Sequence, residues 1–327
     1  MERNVRELLG ARRVSDRSKS PNRFANAKAV IVAAHHCDFA AVVGRNESSR
    51  RTHFAARAEN IVVDAMISQV PHLVVVSTAM VTGTRPGRSV ILDDDPLEPQ
   101  REGYVGDVVA FEEAFHTAIT ALPQDKAPHV TVVRPTAVVG PDIDTLVTRH
   151  FEAPRVLSIR GEHKPWQFAH VKDVASAIEV VIRERIYGSV VVGAVRQDEH
   201  GTLIPDQLCM QELLAVTGMR GIEVTKDMAF STAHRLHRFG VLPAPARDLE
   251  MAVYPWSVNP IKLVEHGWRS QVSSEQCAQE IAEQVRGRIG VAGRRVGHRD
   301  AAALGAAGAA VALLSTAAIW RQARGRS

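Results

Sequence analysis

Three continuous apolar runs, each followed or preceded by a stretch of helical periodicity, constrain this chain most. Residues 29–34 read AVIVAA, residues 72–78 HLVVVST and residues 129–134 HVTVVR. A strand that is apolar at every position, not at alternate ones, is buried on both faces, as in a parallel sheet covered by helices. Between the runs, 54–68 and 104–121 repeat apolar residues at helical spacing, and prolines 86, 96, 99 and 135 punctuate the connections. Strand–helix–strand units at this spacing predict an α/β chain with a Rossmann-like parallel sheet. Beyond Pro141 the pattern changes. Helices near 142–150, 172–185, 206–217 and 273–289 mix with short strands near 156–159, 189–193 and 222–225, predicting a smaller mixed lobe, mainly 142–285.

Charge divides the 327 residues further. The whole chain is +4, but residues 1–28 carry +5 and residues 286–327 carry +7, which leaves −8 on the body, 29–285. An acidic body in a chain only 5% aromatic lacks the basic, aromatic-studded stripe of a nucleic-acid surface, so nucleic acid is not expected as a partner. Cys37, Cys209 and Cys277 are too few and too scattered for a disulfide framework or a cysteine zinc site.

The ends differ. Residues 1–28 form a basic lead with no apolar core of a secretory signal, and a solvated or amphipathic arm is expected. Residues 286–300 are a basic linker. Residues 301–320, AAALGAAGAAVALLSTAAIW, are uncharged, and a helix of that length spans about 30 Å, a bilayer core. Trp320 suits the interface, and Gly305 and Gly308 offer a small face for close helix approach. Five arginines stand between 286 and 299 against three after 320, which predicts a single C-terminal membrane anchor with a cytoplasmic body. An Ala-rich surface helix on a cytoplasmic protein is the alternative.

Several motifs stand in order along the body. VVVSTAMVTG (74–83), DDDPLEP (93–99), TVVRPTAVVGPD (131–142), WQFAHVKDVASAIE (166–179) and WSVNPIKLVEHGWR (256–269) together resemble the extended short-chain dehydrogenase/reductase family, the NAD-dependent epimerase/dehydratase group. The resemblance runs from about Ala29 to Val285 and implies an incomplete NAD(P)-binding lobe to which the chain returns after parts of the small lobe, so that the two lobes interleave. It implies NAD or NADP as cofactor and a small-molecule substrate such as a nucleotide sugar, and it allows a homodimer. By position, Thr78 takes the place of the substrate-holding Ser/Thr, Tyr104 that of the catalytic tyrosine, and Glu112 that of a frequent family glutamate. Ala33, Ala34, Asn60, Ser77 and Pro135 take cofactor-facing places.

Two departures bear on chemistry. A tyrosine of ordinary pKa, about 10, is almost wholly protonated at neutral pH, and the family lowers it with a lysine four residues on. Here that residue is Val108, and no lysine follows before Lys126. Nor do Gly10, Gly44, Gly83, Gly87, Gly103 and Gly106 form the glycine-rich turn that brings backbone amides to a pyrophosphate. The chain begins where the family's fourth strand stands, so the sheet is expected to lack its first strands and this chain to bind NAD(P) weakly or not at all. A noncatalytic, membrane-tethered binding protein and an N-terminally shortened reading of a longer enzyme both remain open. His35, His36, Cys37 and Asp38 have ligand chemistry but crowded spacing, and His234 and His237 lack a third ligand, so no metal is expected. His170 and Asp173 read as structural.

Overall fold

A computed structural model describes residues 22–34, 47–99, 102–141, 143, 145–151, 155–238 and 246–289, with residues 6 and 9–12. In order these form β1 (Val30–Ala33), α1 (Glu47–Ile67), β2 (His72–Val76), a 3-10 turn (Ala79–Thr82), α2 (Gly103–Thr120), β3 (His129–Pro135), β4 (Ala137–Val139) and α3 (Leu146–His150). They continue with β5 (Arg155–Ile159), β6 (Phe168–His170), α4 (Val171–Arg183), β7 (Gly188–Val192), β8 (Val195–Gln197), β9 (Leu203–Pro205), α5 (Met210–Thr217) and β10 (Arg220–Val224). Last come α6 (Lys226–Arg238), a second 3-10 turn (Ala246–Leu249), α7 (Glu250–Val253), α8 (Ile261–Glu265) and α9 (Ser274–Ile289).

The main sheet is parallel throughout, in the order β1-β2-β3-β7. All five residues of β2 are buried, as its unbroken apolar run requires. Among the described residues the sheet ends at β1, whose Val30, Ile31 and Ala33 are only half-buried. Its fourth strand is a correction: the run expected in the smaller lobe near 189–193 pairs with β3, Val190 opposite Val133. The chain thus returns to the sheet after β4–β6. Helices α1 and α2 pack together on one face, burying Phe54, Ala58, Ile61, Val108, Phe111 and Phe115. On the other lies α4, whose Val174, Ile178 and Val181 are wholly covered; each such aliphatic side chain contributes roughly 1.5–3 kcal/mol.

Long-range polar clamps hold the lobes. Asp93 accepts Val191 N at 2.8 Å and Lys262 N at 3.0 Å, joining the acidic loop to β7 and α8. Gln167 donates to Ala194 O at 2.8 Å and Val258 O at 3.1 Å and accepts Val258 N at 2.7 Å. Asp173 accepts Gln271 N and Val272 N, while His170 Nδ1 caps α4 through Lys172 N. These two residues are structural, as read from sequence. The lead is not wholly a solvated arm: Phe24 is in the core and Arg23 pairs with Asp64 at 2.8 Å. No described helix is long and apolar enough to cross a membrane. Residues 301–320, the basic linker from 290 on, and the cluster 35–38 lie outside the described residues.

Candidate functional site

The carboxyl ends of β1, β2 and β3 bring the implied site residues toward one edge of the sheet. At the end of β2, Ser77 and Thr78 are both buried. Ser77 Oγ donates to Glu112 Oε1 across a short contact, and Arg134 Nη2 donates to Glu112 Oε2 at 2.8 Å. Arg134 Nη1 reaches Asp95 O at 3.0 Å. Glu112 is therefore a charge-compensated strut between α2, β2 and β3, with Ser77 committed to it. Thr78 has extended backbone, and its hydroxyl oxygen accepts Met80 N to start the 3-10 turn. A hydroxyl that accepts there keeps its proton for another acceptor.

Tyr104 is the second residue of α2. Its backbone N–H donates to both carboxylate oxygens of Asp248, each at 3.2 Å, so a residue 144 positions away caps this helix. Gly103 is needed there: its φ is +66°, and a Cβ would strike the Asp248 carboxylate. Val108, in the lysine place, is 1% exposed within the apolar core. The next anion along the helix, Asp107, is wholly buried and paired with Arg50 Nε at 2.8 Å. No cation thus stands four residues beyond Tyr104 on this helix.

At β1, Ala34 N donates to Val76 O. Arg57, from α1, donates to Ala33 O at 2.9 Å and lies over the Phe111 ring at 5.5 Å. Asn60, assigned a cofactor-facing place, is exposed, and Arg57 is the α1 residue that bonds the strand end. Pro135 is buried opposite Val192 in β7. Ser77, Thr78 and Pro135 thus lie at the ends of adjacent strands.

Between the turn after β2, the start of α2 and the segment 246–251 lies a small, partly open cleft. Met80, Gly83, Glu98, Val105, Asp248 and Glu250 are among its walls. Sequence reasoning missed this cluster. Glu98 pairs with Arg85 at 2.7 Å, and a Cβ on Gly83, whose φ is +92°, would strike the Glu98 carboxylate. Burial pushes the Glu250 carboxyl up, Arg247 and Lys226 pull it down, and Glu98 adds to the rise. No cluster of described residues fits a metal ion.

The fit to a dinucleotide is partial. Among the described residues no glycine turn meets a helix N-terminus at the end of β1, and Arg57 covers the carbonyls there. The described residues do not supply a pyrophosphate cradle.

No family model matches the sequence, and no curated protein is significantly similar to it. Solved structures do resemble it. A UDP-galactose 4-epimerase is 16% identical with a TM-score of 0.53, covering 83% of this chain and 82% of its own. RMD from Pseudomonas aeruginosa, complexed with NADPH, is 12% identical with a TM-score of 0.56, covering 88% and 95%. MoeE5, in complex with UDP-glucuronic acid and NAD, is 16% identical with a TM-score of 0.56, covering 85% of each chain. At these identities the likeness is one of fold: this chain has the Rossmann-like fold of the NAD-dependent epimerases and dehydratases.

Proposed function

We propose that this chain is an NAD(P)-dependent epimerase/dehydratase-type protein that takes a nucleotide sugar or a similar polar metabolite at the cleft walled by Met80, Val105 and Glu250, next in the chain to the turn that Thr78 begins and to Tyr104. The observation that carries the reading is the convergence of the Thr78 turn, the start of α2 and segment 246–251 on one cleft at the carboxyl end of a parallel sheet, where open α/β sheets bind ligands. Two of the structural neighbours were solved with NADPH and with NAD plus UDP-glucuronic acid, respectively. Bound nicotinamide would supply a hydride donor or acceptor. Of this chain's residues, Thr78 would hold a substrate oxygen through its hydroxyl proton and Tyr104 would exchange a proton with the substrate hydroxyl.

A second reading, a noncatalytic binding protein, is favoured by the buried Val108. Val108 can neither donate a hydrogen bond nor carry the charge that a lysine in its place would bring to the start of α2. Isothermal titration of the full chain with UDP-glucose, NAD and NADP tests both readings. Saturable UDP-glucose binding, weakened at least tenfold in Thr78→Val, supports the cleft; no binding of any of the three overturns both readings. Turnover abolished in Tyr104→Phe separates enzyme from binder. The reading keeps residues 301–320 as a single anchor with the body in the cytoplasm. A reporter active only outside the cytoplasm, fused after Ser327, tests it: a silent reporter on a protein that washes free in high salt refutes the anchor.

A further inference from the structure

Helix α2 takes its cap from the far side of the cleft. The first amides of a helix have no partner within it, and the residue just before the helix, commonly Ser, Thr, Asp or Asn, usually meets them. Here that residue is Glu102, whose side chain makes no capping bond, and the first turn holds no acidic residue. The Tyr104 N–H instead donates to both oxygens of Asp248, each at 3.2 Å. The backbone is shaped for that carboxylate, since Gly103 has a φ of +66° and a Cβ there would strike it. Asp248 is 5% exposed, and the helix dipole favours a carboxylate at this end.

The segment that carries Asp248 is itself a wall of the cleft. Arg247, Asp248, Glu250 and Met251 line it from this side, and Val105 lines it from α2. The segment is seated on the smaller lobe: its 3-10 turn packs on α6, α7 packs on β5, and Met251, Ala252 and Val253 are buried. One carboxylate therefore joins the wall that rests on the smaller lobe to the helix that carries Tyr104. A local cap at position 102 would satisfy the same amide without tying the two segments together.

We infer that Asp248 is a positioning residue. By fixing the first turn of α2 it sets where Tyr104 leaves the backbone. By the same bonds it fastens segment 246–251 to that turn, so the cleft is assembled before a substrate arrives and the ordering cost at binding is reduced. This role rests on the reading of the cleft as the nucleotide-sugar site. The tie between the two walls belongs to the unliganded chain and is measured without a ligand.

Hydrogen exchange of the full unliganded chain reads the tie. Asp248→Ala should speed exchange at Tyr104 N. Gly103→Ala keeps the carboxylate but takes its space, and should speed exchange on the opposite wall at Tyr254 N, which donates to Glu250 O at 2.8 Å. Each rate should rise by about fivefold or more over the change in the buried amides of β2, which report global stability. A Gly103→Ala effect confined to α2 overturns the tie. Calorimetry with UDP-glucose reads the positioning. Asp248→Ala should weaken binding by about tenfold or more, whereas Asp248→Asn, which keeps an acceptor oxygen, should stay within about threefold of wild type. A cap of structural value alone would lower stability and leave the affinity of the folded protein unchanged, so equal affinity in wild type and Asp248→Ala overturns the role. If the wild type binds no UDP-glucose, the nucleotide-sugar reading falls and the positioning role with it, while the exchange result still decides the tie. If Asp248→Ala does not fold, Gly103→Ala carries both measurements, with the same loss of affinity expected and unchanged affinity overturning the role.

Discussion

His150 makes the stability of this fold depend on acid. It is 5% exposed, stacked on Trp166 and edge-on to Phe151, with Nε2 unpartnered. Burial first, and the nearby Lys164 second, lower its pKa from 6.5 to about 4. In the unfolded chain it titrates near 6.5. Between these values the unfolded state binds the extra proton, so folding stability falls as pH drops below 6.5 and levels off below about 4. From pH 7 to pH 4.5 the loss comes to about 2–3 kcal/mol from this one ring, at roughly 1.4 kcal/mol per pKa unit. That is a large share of the roughly 5–15 kcal/mol that a native protein holds. Urea unfolding of the wild type and of His150→Leu at both pH values isolates the effect, since other groups contribute to both proteins alike. The wild type should lose about 2–3 kcal/mol more than the variant over this interval. Equal losses would refute the assignment of a neutral, desolvated imidazole.

Other outcomes follow from the same geometry. Glu112→Gln leaves the Arg134 guanidinium buried without its counter-charge and should cost about 3–5 kcal/mol, whereas Ser77→Ala should cost about 1–2 kcal/mol; thermal unfolding distinguishes the two. Val108→Lys places an ammonium in the core beside Phe111 and should destabilise by about 3 kcal/mol or more without restoring activity at pH 7; activity gained in a protein of unchanged Tm would contradict the placement of Val108. Asp248→Ala removes the α2 cap and should cost about 1 kcal/mol, read as a lower urea midpoint. Burial pushes the Cys277 thiol far up, while Cys209 is exposed, so brief alkylation of the folded protein at pH 8 should modify Cys209 and spare Cys277, as peptide mapping would report.

The strands were legible because a strand buried on both faces writes itself as a continuous apolar run, and β1, β2 and β3 fall within a residue or two of those runs. The position of β7 was not, since a buried run looks the same in either lobe and only partner choice separates them. Helix α1 begins at Glu47, seven residues before the periodicity at Phe54, because its first two turns are polar and leave no apolar stripe to read. Thr78 and Tyr104 lie in local motifs, and these place them at the end of β2 and the start of α2. Asp248 at the start of α2, Arg57 at the end of β1 and Lys164 at Tyr254 O were not legible, because each joins segments far apart in sequence.

The return of the chain to β7 has a mechanical consequence. The sheet contains β3 and β7, but the sequence between them builds β4, α3, β5 and β6 before α4 brings the chain back. It leaves again through β8 and β9 and returns once more at α8, which packs on α4 and β7. The two lobes are therefore stitched, not hinged. A protease cut in any one connection leaves them tied by the others, so a nicked molecule should still migrate as one particle until denatured. Neither lobe can be expressed from a single continuous piece of sequence, and β7 can join the sheet only after some fifty residues of loop closure, which places its pairing among the slow steps of folding.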